Sequence, residues 1–445
     1  MAEQTYSAPT ARGPLDARLR LPGSKSLTNR ELVLAALADG PSVLRAPLHA
    51  RDTELMAQAL RDLGIEVNES DPDHDDQYGP NWIVWPREEG FGTSVPDGAP
   101  VHIDTGLAGT VMRFVPPLAA LRLGPTTFDG DAHARKRPMS TMTNALRALG
   151  IRVDGDALPF TVHGTGSVRG GELTIDASAS SQFVSGLLLA AARFEEGLVL
   201  RHEGERLPSL PHIEMTIACL AAHGVTVMSP DEGVWIVPPQ PIRSTDPIIE
   251  PDLSNAAPFL AAALVAGGRV TIEGWPRATT QVGAHLAHLL PAFGATATLA
   301  IEDGQHALTV DGGDGVLGGR VLDAVDLDLS EAGELSPTLV ALSAFSAGPS
   351  RFTGIGHLRG HETDRLAALV QDLRAVGAGA EELEDGVVVT PAPLHGGAWG
   401  AFADHRMATS GALVGLAVPG VEIDDIGSTS KTLPEFVELW TRMLA

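Results

Sequence analysis

Basic side chains of this 445-residue chain stand where helix-like apolar runs begin. Arg30, Arg365 and Arg406 each fall in the first turn of such a run. A cation is disfavoured there, because the helix dipole is positive at that end and the first backbone N–H groups have no partner within the helix. An anion bound by both the helix end and the arginine would offset that cost, and a guanidinium group matches the planar oxygens of phosphate and carboxylate. The pattern predicts a ligand with at least two anionic groups.

Other polar residues stand at the same kind of position. A serine or threonine before a helix is by itself an ordinary N-cap, so no single one of them indicates a ligand. The residues at these helix starts are Lys25, Ser26, Gly109, Thr110, Ser180, Ser181, Gln182, His361, Glu362, Thr363, Asp404, His405, Ser430 and Lys431. Together with the arginines they predict an anionic ligand clamped between two repeated domains, but they do not name a reaction.

The elements that must position these residues recur along the chain. A helix-like stretch ends at a glycine, and strand-like residues follow it directly. The glycines of this pattern are Gly64, Gly150, Gly224, Gly294 and Gly377. Their broadly similar spacing indicates repeated α/β units.

Three segments complete this organisation. The helix-like run that begins at 111 is expected to break at Pro116 and Pro117. Residues 434–444 form a helix-like run with no strand after it, and strand-like residues 15–21 would complete that last unit. The proline-rich segment 238–252 is the predicted crossing between domains.

The composition narrows the class of partner. The chain carries 56 Asp and Glu against 31 Lys and Arg, a formal charge of −25. This balance excludes general nucleic-acid binding, which needs a basic surface. It does not exclude small anions, since the field inside a cleft can oppose that of the whole molecule. With 44% hydrophobic residues, the chain is long enough for two cores.

The single cysteine, Cys219, excludes an intramolecular disulfide and lies in a largely apolar segment, so we predict a buried structural thiol. Residues 1–14 lack the order of a signal peptide, and no apolar stretch reaches the roughly 20 residues that span a bilayer. We therefore expect a cytoplasmic protein.

Some short patterns resemble ligand motifs but are incomplete. Residues 164–166 and 354–356 lack the spacing of a dinucleotide-binding loop, and residues 23–26 lack the glycines of a phosphate-binding P-loop. The acidic residues 71–76 lack the glycine and glutamate of a calcium loop. We predict a solvated loop there.

The residues at the helix starts stand in motifs that resemble those of the enolpyruvyl transferase family, in its EPSP synthase branch. The motifs occur in family order along nearly the whole chain. They are LPGSKSLTNR at 21–30, AGTVMR at 108–113, RPM at 137–139, SSQ at 180–182, ETDR at 362–365, DHRMA at 404–408, and Lys431.

The resemblance implies an α/β fold of two similar domains, each built from three βαβαββ units, with the active site in the cleft between them. The N-terminal domain would span 24–246 and hold shikimate 3-phosphate. The second domain would be discontinuous, 1–23 plus 247–445, and would clamp phosphoenolpyruvate.

The resemblance also implies two sets of binding residues. Those for shikimate 3-phosphate would be Lys25, Ser26, Arg30, Ser180, Ser181, Gln182, Ser209, Glu334 and His361. Those for phosphoenolpyruvate would be Lys25, Gly109, Arg137, Gln182, Arg365, Arg406 and Lys431.

The implied reaction moves the enolpyruvyl group of phosphoenolpyruvate to the 5-hydroxyl of shikimate 3-phosphate, a step towards chorismate and the aromatic amino acids. It needs a base near the hydroxyl and an acid near C3. Glu334 is the expected base, Glu362 the expected group for proton transfer at C3, and Lys25 and His405 the further catalytic residues. No metal or other cofactor is required, and a monomer is expected.

The chain departs from the commoner family pattern at several positions. Glu334 stands where aspartate is frequent, His357 where asparagine is frequent and His361 where lysine is frequent. Since histidine need not be charged at neutral pH, we expect the affinity for shikimate 3-phosphate to depend on pH. Gly109 leaves room beside the enolpyruvate, which predicts competitive inhibition by glyphosate.

Two alternatives remain. One is an enolpyruvyl transferase acting on UDP-N-acetylglucosamine; that branch uses a cysteine in a mobile loop, and Cys219 lies in another kind of segment. The other is a non-catalytic protein that binds phosphorylated metabolites, which would not need Lys25, Glu334 and Glu362 together.

Overall fold

A computed structural model describes residues 5–70, 77–86, 98–204, 207–302 and 304–445. The acidic segment 71–76, predicted to be a solvated loop, lies outside the described residues. The chain forms two compact units. One is continuous, Gly23–Ile249, and is called the N-terminal unit below; the other joins Met1–Pro22 to Glu250–Ala445 and is called the split unit.

The α-helices have lengths of 7 to 13 residues. They are α1 Lys25–Leu37, α2 Arg51–Asp62, α3 Gly109–Ala120, α4 Ser140–Ala148, α5 Gln182–Ala191, α6 Leu210–Ala222, α7 Ala256–Ala266, α8 Leu286–Ala292, α9 Ser336–Leu342, α10 Arg365–Ala375, α11 His405–Gly415 and α12 Phe436–Met443.

The strands are short and alternate with these helices. They are β1 Tyr6–Ser7, β2 Leu15–Leu19, β3 Ser42–Leu44, β4 Glu66–Glu69, β5 Trp82–Trp85, β6 Val101–Asp104, β7 Leu123–Asp129, β8 Arg152–Asp154, β9 Phe160–Thr165, β10 Gly171–Ile175, β11 Leu198–His202, β12 Val234–Val237, β13 Gly268–Glu273, β14 Thr296–Glu302, β15 Gln305–Gly313, β16 Asp326–Asp328, β17 Ser350–Thr353, β18 Gly379–Leu383, β19 Gly386–Thr390, β20 Gly397–Trp399 and β21 Val421–Ile423.

Within the described residues, each unit contains three small sheets with one recurring topology. In the N-terminal unit, β6 lies parallel to β7, and the antiparallel pair β8–β9 joins the sheet through β9, giving the order β6-β7-β9-β8. The split unit repeats this arrangement as β16-β17-β19-β18. Each is a βαβαββ unit, since a helix follows each of the two parallel strands. The predicted α/β fold of repeated units is therefore confirmed.

Both ends of the chain contribute to the split unit. Strand β2 pairs in parallel with β13, and helix α12 packs against β2. Strand β1 pairs with β21. The third βαβαββ arrangement, β2-β13-β15-β14, is thus completed by a strand from the N-terminal end.

The glycines of the sequence repeat end their helices as predicted. Their φ angles lie between 78° and 98°, a left-handed conformation that only glycine adopts at no steric cost. An arginine in the last turn of three of these helices donates a hydrogen bond from Nε to a carbonyl of the following strand. These bonds join Arg61 to Val67, Arg147 to Val153 and Arg374 to Ala380, at 2.8–3.1 Å.

Two details of the prediction are wrong. In the described part of the chain, only an isolated bridge, Met228 to Ile236, follows Gly224 in place of a strand. Helix α3 also continues through Pro116 and Pro117, although each proline removes a helical N–H donor. All 12 residues of α3 are buried and it packs against α5, where Gly186 lets the two backbones approach closely, so tertiary packing outweighs the lost bonds.

Each unit has its own apolar core. Helices α3 and α7 are buried along their whole length, as expected of central helices that are apolar all round. Cys219 is buried in the core of the N-terminal unit, which confirms the predicted structural thiol. Among the described residues, no helix has the length and apolarity to cross a membrane, and no group of three or more His, Cys, Asp or Glu is placed to hold a metal ion.

Candidate active site

Three predicted phosphoenolpyruvate ligands meet at the start of α3 in the N-terminal unit. A Cβ placed on Gly109 would lie 2.9 Å from Gln182 Oε1 and 3.0 Å from Arg137 Nη2. Arg137 is largely buried, and its Nη1 donates to the carbonyl of Leu107 at 3.2 Å. Within the described residues, Gln182 Oε1 and Arg137 Nε have no hydrogen-bond partner. A cation, an amide and a helix N-terminus thus converge where a small anion could be bound.

Helix α1 begins at Lys25, as the sequence predicted for this basic segment. Lys25 Nζ lies 3.9 Å from Asp52 Oδ2, and the Lys25 side chain keeps 15% of its surface exposed. Asp52 is 2% exposed, so one buried carboxylate on α2 fixes the lysine at the helix start. An ammonium group held in this way is a point charge suited to a phosphate or a developing oxyanion.

Arg30 is buried, and its nitrogens are used within the protein. Nε donates to Thr216 Oγ1 at 2.8 Å, Nη1 to the carbonyl of Ser26 at 2.8 Å, and Nη2 to the carbonyl of His212 at 2.9 Å. The guanidinium also lies over the ring of Phe114, 5.3 Å from its centroid. Arg30 therefore joins α1 to α6, and its contact with a substrate stays a prediction.

The predicted serine ligands surround the starts of α5 and α6. Ser181 and Ser209 occupy N-cap positions, yet among the described residues neither side chain makes a capping hydrogen bond. Ser180 Oγ accepts from the backbone N–H of Gln182 at 3.3 Å. Ser209 has a φ of 54°, which is strained for a residue with a Cβ. The hydroxyls of Ser181 and Ser209 therefore do not serve as the ordinary caps that a single serine would suggest.

A buried charge network lies at the starts of α10 and α11 in the split unit. Arg365 Nε donates to Asp404 Oδ2 at 2.7 Å, and its Nη2 donates to Glu362 Oε2 at 3.0 Å. Lys431 Nζ donates to the other oxygen of Glu362. Burial alone would lower the pKa of Arg365, but the charges of Asp404 and Glu362 more than offset it and raise the pKa. Arg365 is thus a fully charged group held rigidly below the surface.

Arg406 and Glu334 form a second ion pair in the split unit. Arg406 Nη2 donates to Glu334 Oε2 at 2.8 Å, and both side chains are largely buried. Asp404 joins the two charge clusters, because its Oδ1 accepts from the backbone N–H of Arg406 at 2.9 Å while its carboxylate binds Arg365. The predicted base and the predicted cations are therefore positioned by one buried aspartate.

Two histidines lie beside Glu334 and Glu362. The rings of His357 and His361 have centroids 5.7 Å apart, and a Cβ on Gly333 would lie 2.9 Å from His357 Nε2. Burial, and next the charge of Arg365, lower the pKa of His357 to about 4, so this ring is neutral at physiological pH. His357 was noted in the sequence only as a departure from the family pattern.

His361 contacts the arginine that precedes it in the network. Arg365 Nη1 lies 3.3 Å from His361 Nδ1. Arginine can only donate, so Nδ1 must accept and carry no proton. This contact opposes protonation of His361, on which the predicted pH dependence of substrate affinity rests. His405 is buried, with Nδ1 3.7 Å from Asp404 Oδ1.

Sequence reasoning gave no role to two residues that hold the segment bearing His357, His361 and Glu362. Arg359 bonds to Glu382 and donates to the carbonyl of Leu383 at 2.7 Å. Asp385 accepts from the backbone N–H groups of 354 and 356 at 3.1 and 3.0 Å. No local pattern marks either residue, because their partners lie 23 to 31 positions away in the chain.

Comparisons with known proteins agree on one family. Residues 9–440 match the family model described as EPSP synthase (3-phosphoshikimate 1-carboxyvinyltransferase). A relative from Kocuria rhizophila, named 3-phosphoshikimate 1-carboxyvinyltransferase, is 52% identical over 448 residues, covering 99% of this chain and 97% of the relative.

Solved structures agree on the fold. The EPSP synthase of Acinetobacter baumannii superposes with a TM-score of 0.78 at 24% identity, covering 99% of this chain and 98% of that one. The enolpyruvyl transferase NikO of Streptomyces tendae gives a TM-score of 0.73 at 16% identity, covering 98% of this chain and 96% of that one.

Proposed function

We infer that this chain, which belongs to the EPSP synthase family, transfers the enolpyruvyl group of phosphoenolpyruvate to the 5-hydroxyl of shikimate 3-phosphate. The observation that carries the assignment is the 52% identity to a 3-phosphoshikimate 1-carboxyvinyltransferase over 99% of the chain. The chain binds both substrates and releases 5-enolpyruvylshikimate 3-phosphate and phosphate, a step of the shikimate pathway.

The reaction is an addition followed by an elimination. The 5-hydroxyl attacks C2 of phosphoenolpyruvate and loses its proton, while C3 gains a proton and becomes a methyl group. The tetrahedral ketal then loses phosphate as a methyl proton is removed, which restores the double bond. Both steps need a positioned base and acid, and cations that stabilise the moving negative charge.

Glu334 is the proposed base for the 5-hydroxyl. Its carboxylate is held by the Arg406 guanidinium at 2.8 Å, which fixes its direction. Glu362 is the proposed group for proton transfer at C3, with Lys25 assisting. Its two oxygens are held by Arg365 and Lys431, so its geometry is determined by two cations. His405, buried beside the same network, is the remaining proposed catalytic residue.

The anionic groups of phosphoenolpyruvate are assigned to the cations and helix starts of both units. In the N-terminal unit we assign the convergent groups of Gly109, Arg137 and Gln182. In the split unit we assign Arg365, Arg406 and Lys431, with Lys25 as a further ligand. Arginine forks suit the planar carboxylate and the phosphate oxygens.

Shikimate 3-phosphate is assigned to hydroxyl and basic groups. The uncapped hydroxyls of Ser181 and Ser209 support this assignment, because they are spare hydrogen-bonding groups at helix N-termini. The full set is Lys25, Ser26, Arg30, Ser180, Ser181, Gln182, Ser209, Glu334 and His361.

Glyphosate is a proposed competitive inhibitor, because an anionic analogue would use the same groups around Gly109. A monomer is the proposed state of assembly, and it rests on the family resemblance alone.

The assignment is tested by phosphate release from phosphoenolpyruvate, with and without shikimate 3-phosphate, beside a UDP-N-acetylglucosamine control. Release that depends on shikimate 3-phosphate and is lost in Glu362→Gln supports the reaction and the site. Release only with the sugar nucleotide would assign the chain to the wall-synthesis branch. No release with either acceptor would favour a binding protein.

A further inference from the structure

The turn that leads into α11 has a strained backbone. Phe402 and Ala403 have φ angles of 53° and 56°, so two consecutive residues with a Cβ adopt the left-handed conformation. Such residues persist only where the surroundings hold them, and they cluster at functional sites. Directly after them come Asp404 and Arg406, which bind Arg365 and Glu334.

Two carboxylates bind consecutive amides at the start of this turn. Asp372 Oδ1 accepts from the N–H of Gly400 at 3.0 Å, and Asp424 Oδ1 accepts from the N–H of Ala401 at 2.7 Å. The carbonyl of Ala401 in turn accepts from the N–H of Asp404 at 2.8 Å. The chain of contacts from Asp372 and Asp424 to the start of α11 is therefore continuous.

We propose that Asp372 and Asp424 are positioning residues for the phosphoenolpyruvate ligands of the split unit. By fixing the amides of 400 and 401, they hold the strained turn so that Asp404 meets Arg365 and Arg406 meets Glu334. Asp372 lies on α10, seven residues after Arg365, so the same helix carries one ligand and positions the next. The inference rests on the proposed function for its substrate.

The protonation of Asp372 couples this arrangement to pH. Burial raises the pKa of Asp372 to about 8; the hydrogen bond from Gly400 opposes the rise, and the charge of Asp424 adds to it. Asp372 Oδ2 has no hydrogen-bond partner among the described residues, which further disfavours ionisation. Because the pKa is raised in the folded state, the protonated form stabilises the turn, and that stabilisation is lost as pH rises through about 8.

The charged groups of the elements around α10 are engaged elsewhere or lie outside this contact. Strands β19 and β20 and helix α9 carry no titratable side chain. The groups on the other elements are Glu381 and Glu382 on β18, His357 and Arg359 in the 3-10 helix Gly356–Gly360, and His405 and Arg406 on α11. Of these, Arg359 binds Glu382 and Arg406 binds Glu334, so Asp424 is the charge that acts on Asp372.

Kinetics from about pH 7 to pH 9 test the inference, with Asp372→Asn, Asp372→Ala and, as a control, Asp62→Asn. Asp62 is a half-buried carboxylate on α2 whose pKa burial also raises. The Asn variant keeps an acceptor for Gly400 but cannot ionise. In wild type, the KM for phosphoenolpyruvate should rise up to about tenfold between pH 8 and pH 9. Asp372→Asn should remove that rise, and Asp62→Asn should retain it.

Asp372→Ala should raise the KM for phosphoenolpyruvate on the order of tenfold at neutral pH, because a displaced turn misplaces Arg406. The KM for shikimate 3-phosphate should change much less. A purely structural defect would instead lower the amount of active enzyme and leave both KM values unchanged. Equal pH profiles in wild type and Asp372→Asn, or equal changes in both KM values, would overturn the inference.

The thermal midpoint without substrates gives a second readout that does not need activity. The wild-type midpoint should fall from pH 7 to pH 9 relative to that of Asp372→Asn, and parallel curves would overturn the inference. Failure of wild type to release phosphate with shikimate 3-phosphate would instead overturn the proposed function.

Discussion

Removal of the Asp404 carboxylate tests how much of the site's rigidity comes from one buried ion pair. Asp404 is 0% exposed and its partner Arg365 is 1% exposed. Its carboxylate accepts from Arg365 at 2.7 and 3.2 Å, and it also caps α11 through the N–H of Arg406 at 2.9 Å. In Asp404→Ala both functions are lost, and a buried guanidinium keeps only Glu362 as a charged partner.

The magnitude follows from these contacts. Removing one partner of a buried ion pair costs about 3–5 kcal/mol, and loss of an N-cap costs about 1 kcal/mol. Because Glu362 still neutralises Arg365, we expect the lower end, about 4 kcal/mol of the free energy of unfolding of the split unit. Asp404→Asn keeps the capping oxygen and should cost about 1.5–3 kcal/mol, the worth of a hydrogen bond to a charged group.

Urea unfolding followed by tryptophan fluorescence measures these losses, since Trp399 and Trp440 report on the core of the split unit. Asp129→Ala is the matched control. Asp129 also binds an arginine with two bonds, at 2.9 and 2.7 Å to Arg135, but that pair is exposed to solvent. Its removal should cost much less. Equal losses in the two alanine variants, or less than about 1 kcal/mol for Asp404→Ala, would refute the reasoning from burial.

Three other outcomes can be measured. In Gly109→Ala the new Cβ would lie 2.9 Å from Gln182 Oε1, so inhibition by glyphosate should weaken more than kcat/KM for phosphoenolpyruvate; equal losses would contradict this steric argument. Ala403→Gly should raise the free energy of unfolding by about 0.5–1 kcal/mol, because it removes a Cβ from a left-handed residue, whereas Ala408→Gly inside α11 should lower it; two losses would count against strain in the turn. Burial alone would lower the pKa of His223, but the hydrogen bond and charge of Glu31 raise it, so their pairing stabilises the fold fully below about pH 6.5 and less as pH rises through the raised pKa. The stability difference between wild type and Glu31→Gln should therefore shrink from about pH 6 to pH 9 in urea titrations, and a constant difference would show that the pairing does not titrate.

Local features of the sequence predicted the elements well. Helices α1, α5, α10 and α11 begin within two residues of the predicted runs, because apolar periodicity and the residues at helix ends are read from neighbours in the chain. The repeated glycines were predictable for the same reason, since a left-handed helix end depends on one residue type. The errors at Pro116 and after Gly224 arose where packing or pairing with distant residues decided the outcome.

The sequence by itself determined which residue types stand at which helix starts, and through ordered motifs it determined the family and its reaction. Only the tertiary structure decided how those residues are held. It directs Arg30 into Thr216, 186 positions away, pairs Arg365 with Asp404 across 39 positions, and pairs Glu334 with Arg406 across 72. It also brings Asp372 to the strained turn before α11. Periodicity and capping act over a few residues, whereas these contacts depend on which helices and loops pack together, and that information is not present in any local pattern.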